Sequence, residues 1–222
     1  MVVYIIRHGE TDLNTRGCLA GRMDVPLNEN GKKLASVTGE ALKDIDFDLI
    51  ITSPLIRARS TAEIVAAPSE ERRGIKIPVI EDPGLIEISF GEWEGKRPEK
   101  GAEDSFYEEY KTFFMDPFSY KGAPGGETIP EVIERTDKAL QDILNNKEYT
   151  DKTILIATHG CALRGMLNRF YEDRNNFWQD RVPYNCTVNI IEVKDGKQSL
   201  TDEDVIYYDR SLCLNSYKKI LK

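Results

Sequence analysis

Histidine is almost missing from this chain: His8 and His159 are the only two among 222 residues. Neither has Asp, Glu or Cys beside it at the usual ligand spacing, which argues against a metal centre. Cysteine is scarce too. Cys18, Cys161, Cys186 and Cys213 are scattered, without a CxxC pair, the pattern of reduced thiols in a cytoplasmic protein rather than of a disulfide framework. No apolar run is long enough to cross a bilayer. The N-terminal MVVYIIRHGE lacks a basic lead-in and a small-residue cleavage site, so it reads as a first strand and not as a secretory signal. Repeats, low-complexity tracts and linker-like stretches are absent, so residues 1–222 are expected to form a single domain. The formal net charge of −8 speaks against nucleic acid and anionic membranes as partners. A phosphate-bearing ligand would therefore need its own local group of arginines.

What is present is a chain of strands and helices in alternation. Val2–Ile6, Asp48–Thr52, Ile77–Ile80 and Thr153–Thr158 are short, mostly continuous apolar runs, as in strands covered on both faces. Helical periodicity or composition predicts helices over Glu29–Lys43, Ile56–Ala66, Ile129–Asn146 and Cys161–Phe170, and Thr187–Val193 and Val205–Tyr208 flank Asp195-Gly196 as a terminal hairpin. The alternation implies a three-layer αβα sandwich with a mostly parallel sheet. Residues from about 96 to 125 differ in character: Phe106, Tyr107, Tyr110 and Phe114 cluster at helical spacing and suggest a helical insertion that ends at Pro124–Gly126. Such spacing usually means packing; lining a pocket for an apolar or ring-bearing substrate is the alternative.

Both histidines follow an apolar strand and precede a glycine, in YIIRHG and LIATHG. Ligands of open α/β sheets bind beyond the carboxyl ends of the strands, so neighbouring strands would bring the two imidazoles to one crevice. Taken singly, each is equally well read as a structural histidine satisfied at a strand end. Arg7 adjoins His8, and Arg57 opens the helix after DLIIT. Two guanidinium forks suit the equatorial oxygens of a phosphoryl group, although Arg57 by position alone reads as an ordinary surface cation. Glu87, in LIEISFGEWEG, is a candidate general acid if its apolar neighbours Leu85, Ile86 and Ile88 hold it protonated. A solvent-facing carboxylate is the plainer reading, and Glu92 and Glu94 compete with it.

These blocks resemble the histidine phosphatase superfamily and its phosphoglycerate mutase-like branch. The resemblance spans RHGET with Asn14, GRMDVPLNENG at 21–31, SPLIRARSTA at 53–62, LIEISFGEWEG at 85–95, PGGET at 124–128 and THG at 158–160. It implies that His8 is a nucleophile passing through phosphohistidine, and that Arg7, Arg57, His159, Asn14, Gly21 and the Gly160 amide hold the substrate. It makes Glu87 the acid, and later the base, and requires neither cofactor nor metal. Where the mutase branch carries Thr, Tyr and Asn, this chain has Ala20, Phe90 and Cys161, and the tandem arginines of the mutase insertion are missing. An unmade charged contact costs about 1.5–3 kcal/mol, so the expectation is a phosphatase acting on a small phosphorylated metabolite. Homo-oligomerisation is left open.

Overall fold

The computed structural model describes residues 1–99 and 106–213. One six-stranded sheet organises them, in the order β3-β2-β4-β1-β5-β6. Strands β1 (Val2–Arg7), β2 (Leu49–Thr52), β3 (Val79–Glu81) and β4 (Thr153–Thr158) run parallel. Strands β5 (Val188–Lys194) and β6 (Lys197–Val205) are antiparallel additions at one edge. Alternation of side chains splits each central strand between two cores. Val3, Ile5, Ile154 and Ile156 face helices α5 (Ile129–Leu144) and α6 (Gly160–Leu167). Ile6, Ile50, Leu155 and Ala157 face α2 (Glu29–Ala41) and α3 (Ile56–Arg73). Helices thus cover both faces of a mostly parallel sheet, as the alternating pattern implied.

A third apolar cluster lies beyond the strand ends. Helix α4 (Phe106–Met115) places Phe106, Tyr110, Phe113 and Phe114 there, against Phe90, Trp93 and Trp178. The short helix α1 (Asp12–Arg16) follows β1, closed by a reciprocal Thr11–Asn14 capping box. Part of the expected insertion, residues 100–105, lies outside the described residues.

Several boundaries differ from expectation for local reasons. Helix α3 runs through Pro68 to Arg73, past the predicted end at Ala66. Proline removes a helical hydrogen bond, but the buried face continues beyond it, and Ser69 Oγ donates to Ile45 O at 2.7 Å. Strand β6 begins directly after the Asp195-Gly196 turn, where both residues have positive φ (52° and 75°) as a two-residue hairpin turn requires, and not at Val205. Its sequence KQSLTDEDV lies on an exposed edge and carries no apolar alternation to reveal it. Strand β3 is shifted to Val79–Glu81, and α6 ends at Leu167 in a 3₁₀ turn. The segment bearing Glu87 is an extended stretch between two 3₁₀ turns rather than an apolar strand.

Candidate active site

Register sets the site. Arg7 of β1 pairs with Thr158 of β4, so the next residue on each strand is a histidine, and the two rings stand 5.1 Å apart between centroids. His8 N donates to Thr158 O at 2.9 Å, and Asn185 Nδ2 donates to His8 O at 3.0 Å. The His8 Nδ1 lies 2.6 Å from its neighbour's carbonyl, Gly9 O. A carbonyl only accepts, so Nδ1 carries the proton and Nε2 keeps its lone pair. Burial, reinforced by Arg57 and Arg7, holds the His8 pKa well below its usual value, so the ring is neutral at physiological pH.

The arginines are pinned from behind. Arg57 Nη1 and Nη2 donate to Met23 O and Gly21 O, each at 2.7 Å. Arg7 Nη1 donates to Pro183 O. The buried Nε atoms of both arginines have no partner among the described residues. Burial lowers the Arg57 pKa to about 10, with Glu87 and Asp24 opposing the shift, which leaves it cationic. Gly160 packs closely on Arg7: a Cβ there would lie 3.3 Å from Arg7 Nε, a tight contact.

His159 is fully buried behind His8 and does not itself line the cleft. Its Nε2 is 2.7 Å from Ser53 Oγ. That oxygen also accepts the Leu55 amide at 3.3 Å. His159 Nδ1 has no partner among the described residues. Burial and the charge of Arg57 lower its pKa well below the ordinary value.

Of the three competing carboxylates, Glu87 lines the cleft. Its Oε1 accepts the amides of Ile88 (3.0 Å) and Ala162 (2.9 Å), and Oε2 accepts that of Cys161 at 3.3 Å. Polar amides at the start of α6, rather than the apolar surroundings expected, therefore face this group. Glu94 is engaged elsewhere, its Oε1 accepting the amides of Arg22 and Phe90 at 2.9 and 3.1 Å. It presses on Gly21, whose φ of +48° and lack of Cβ are both required there. Glu92 is exposed.

Arg7, His8, Asn14, Gly21, Arg57, Glu87 and Gly160 thus meet in one cleft. Of the helix-spaced aromatics, Phe106 packs on Trp93 and Tyr110 on Phe114, in keeping with their spacing, whereas Phe114 lines the cleft, joined by Phe113. Trp178 and Val182, from a loop, complete that wall. Sequence reasoning missed them, as it missed Ser53, Asn185 and the clamp behind Glu87. In that clamp Arg135 Nη1 donates to Gly84 O and Ile86 O, at 3.0 and 2.7 Å, and Arg135 Nη2 to Glu87 O at 3.4 Å. Glu127 pairs with Arg135 at 3.0 Å and with Arg22 at 2.8 Å. Burial alone would raise the Glu127 pKa, but bonds from Arg135 and the Ser89 amide hold it below the usual carboxylate range. None of these residues has a periodic signature; only their placement in three dimensions gives them meaning.

Among the described residues no three His, Cys, Asp or Glu side chains gather as a metal site, and no helix is long and apolar enough to cross a membrane.

The sequence profile of the histidine phosphatase superfamily (branch 1) matches residues 3–204. An uncharacterized phosphatase, PhoE, of Bacillus subtilis is 31% identical over 206 residues, spanning 91% of this chain and 94% of the relative. A metal-independent phosphoserine phosphatase of Arabidopsis thaliana is 30% identical, over 88% of this chain and 77% of its own. A 2,3-bisphosphoglycerate-dependent phosphoglycerate mutase of Chlamydia abortus also matches at 30%, over 74% of this chain and 82% of its own. The solved structure of Bacillus stearothermophilus YhfR superposes with a TM-score of 0.81 at 32% identity, covering 93% of this chain and 98% of that one. The chain belongs to the histidine phosphatase superfamily, branch 1, and is a phosphomonoesterase.

Proposed function

We propose that this chain hydrolyses a small phosphorylated metabolite, without a metal, through a phosphohistidine on His8. The observation that carries the reading is the His8 ring itself: buried, neutral and lining the cleft, with Nδ1 tied to Gly9 O so that Nε2 keeps its lone pair. Its Nε2 attacks phosphorus, forming a P–N bond as the ester P–O bond breaks, and the leaving alkoxide takes a proton from Glu87. Glu87 then removes a proton from water, which attacks phosphorus; the P–N bond breaks and inorganic phosphate departs. Arg7, Arg57, Asn14 and the Gly160 amide neutralise the equatorial oxygens, with His159 packed against the His8 ring. Four free thiols fit a reducing, cytoplasmic setting, and we read residues 1–222 as one catalytic unit.

The mutase reading has sequence similarity in its favour. Against it, Ala20, Phe90 and Cys161 line the cleft and offer no grip for a second anionic group. The test is to mix enzyme with p-nitrophenyl phosphate in excess chelator and quench in alkali. Acid-labile phosphate should appear on His8, and the His8→Ala variant should show neither label nor turnover. Turnover retained in that variant would sink the nucleophile. With 3-phosphoglycerate and a trace of the bisphosphate, isomerisation outrunning phosphate release would restore the mutase.

A further inference from the structure

The leaving-group end of the cleft differs sharply from the phosphate end. Phe113 is its hub, with ring centroids 5.3 Å from Phe90, 4.8 Å from Phe114 and 5.2 Å from Trp178. Phe114 and Trp178 stack at 5.4 Å with 29° between planes, and Leu19, Ile88 and Val182 fill the remainder. Trp178 Nε1 is spent on Phe113 O at 2.9 Å, which leaves the indole to offer its apolar surface. Burial, with Glu87 adding to it, pushes the Cys161 thiol well above its usual pKa, so it stays neutral.

Cations are confined to the other end. Among the described residues lining the cleft only Arg7 and Arg57 are cationic. Arg22, on the same loop as Gly21, is committed to Glu127 and to the Glu87 carbonyl. A carboxylate on the substrate's alcohol would there lose water and find no guanidinium. An aromatic ring would instead exchange water for edge and face contacts with three or four rings.

We infer that the preferred substrates are monoesters of an uncharged, aromatic-ring-bearing alcohol, and that Phe113, Phe114 and Trp178 determine this choice. The inference rests on the phosphatase reading above. Benzyl phosphate and O-phosphoserine test it fairly, because both are esters of primary alcohols and differ at the wall rather than at the reacting atoms. Burying one ring against leaving it in water corresponds to about a 10- to 100-fold advantage in kcat/KM for benzyl phosphate. Trp178→Ala should pull the benzyl-to-phosphoserine ratio towards unity, and Val182→Lys, which adds a cation at the wall, should lower it further. Competitive inhibition of the unaltered enzyme needs no variant: benzylphosphonate should bind more tightly than 3-phosphonopropionate. O-phosphoserine matching or exceeding benzyl phosphate would overturn the inference and leave the phosphatase reading intact. Hexyl phosphate equalling benzyl phosphate would overturn its aromatic part. If p-nitrophenyl phosphate is not hydrolysed either, the phosphatase reading fails and takes the inference with it.

Discussion

The two ends of the cleft are built by different means. At the phosphate end the functional groups come from the carboxyl edge of the sheet or the segments that follow it, and three of them are anchored from behind by backbone partners. His8 leans on Gly9 O, Arg7 on Pro183 O and Arg57 on Gly21 O and Met23 O. At the other end the wall comes from α4 and from the loop bearing Trp178 and Val182, held by ring packing and one indole hydrogen bond. Strand register and carbonyl anchors define positions tightly, which suits groups that must meet a developing charge. Ring packing defines a volume, which suits selection among alcohols. Changes at the first end should therefore lower turnover of every ester alike, and changes at the second should re-sort the esters.

The largest break in that contrast would come from Arg57. Arg57→Ala should cut kcat/KM about 10³-fold, since it removes two donors from the phosphoryl oxygens and releases the Gly21 loop. Arg57→Lys keeps the charge but not the fork, and should recover only part of the loss. The loss should be the same for benzyl and p-nitrophenyl phosphates within a few-fold. Unequal losses would show that Arg57 also reads the alcohol, and the division of labour would fall.

Arg135 sharpens the contrast from a third position, because it touches neither end. It grips the carbonyls of Gly84, Ile86 and Glu87 and is fixed by Glu127, so it positions the stretch that carries Glu87. Arg135→Ala should slow benzyl phosphate, whose alcohol needs a proton, by about 10- to 100-fold. p-Nitrophenyl phosphate, whose leaving group needs none, should slow far less. A purely structural role would slow both equally. Arg135→Lys should restore part of the difference by reaching one carbonyl.

The same division explains what could be read from the residues. Strand–His–Gly occurring twice is a local pattern, and apolar runs such as VVYII and TILIAT announce buried strands, so the close approach of His8 and His159 was legible before any fold was known, although only His8 lines the cleft. So was the alternation that makes the layered sandwich. Glu87 was not distinguishable from Glu92 and Glu94 by its neighbours, because what singles it out is the start of α6, some 74 residues further along. Pattern likewise says nothing of Trp178 and Val182, which reach the cleft from a loop, or of Ser53 and Arg135, which act through partners distant in sequence. The polar edge strand β6 escaped notice because its register comes from the turn and from backbone pairing, with little apolar burial to mark it.

The smallest effect concerns protons, and it separates the two ends once more. His8 and His159 both have pKa values held well below about 6.5 by burial, with Arg57 reinforcing it. Above that value neither state binds a proton at these sites and the groups contribute no pH dependence. As pH falls below it, the unfolded chain takes up two protons that the folded chain refuses, so stability must decline. Between pH 7.5 and 5.5 the loss should be at most about 1.4 kcal/mol for each histidine, read as a drop in the urea midpoint. His8→Gln should remove about half of the histidine share, whereas Trp178→Phe, at the wall, should leave the slope untouched. Activity should not share that decline: because His8 stays neutral, the enzyme's own acid limb of kcat/KM, after allowing for the substrate's phosphate ionisation at about pH 6, should lie well below pH 6.5. A limb centred near 6.5 would mean that His8 is as accessible to water as a free imidazole. The closed, sheet-anchored end of the cleft would then be open to solvent, as the wall is to its alcohol.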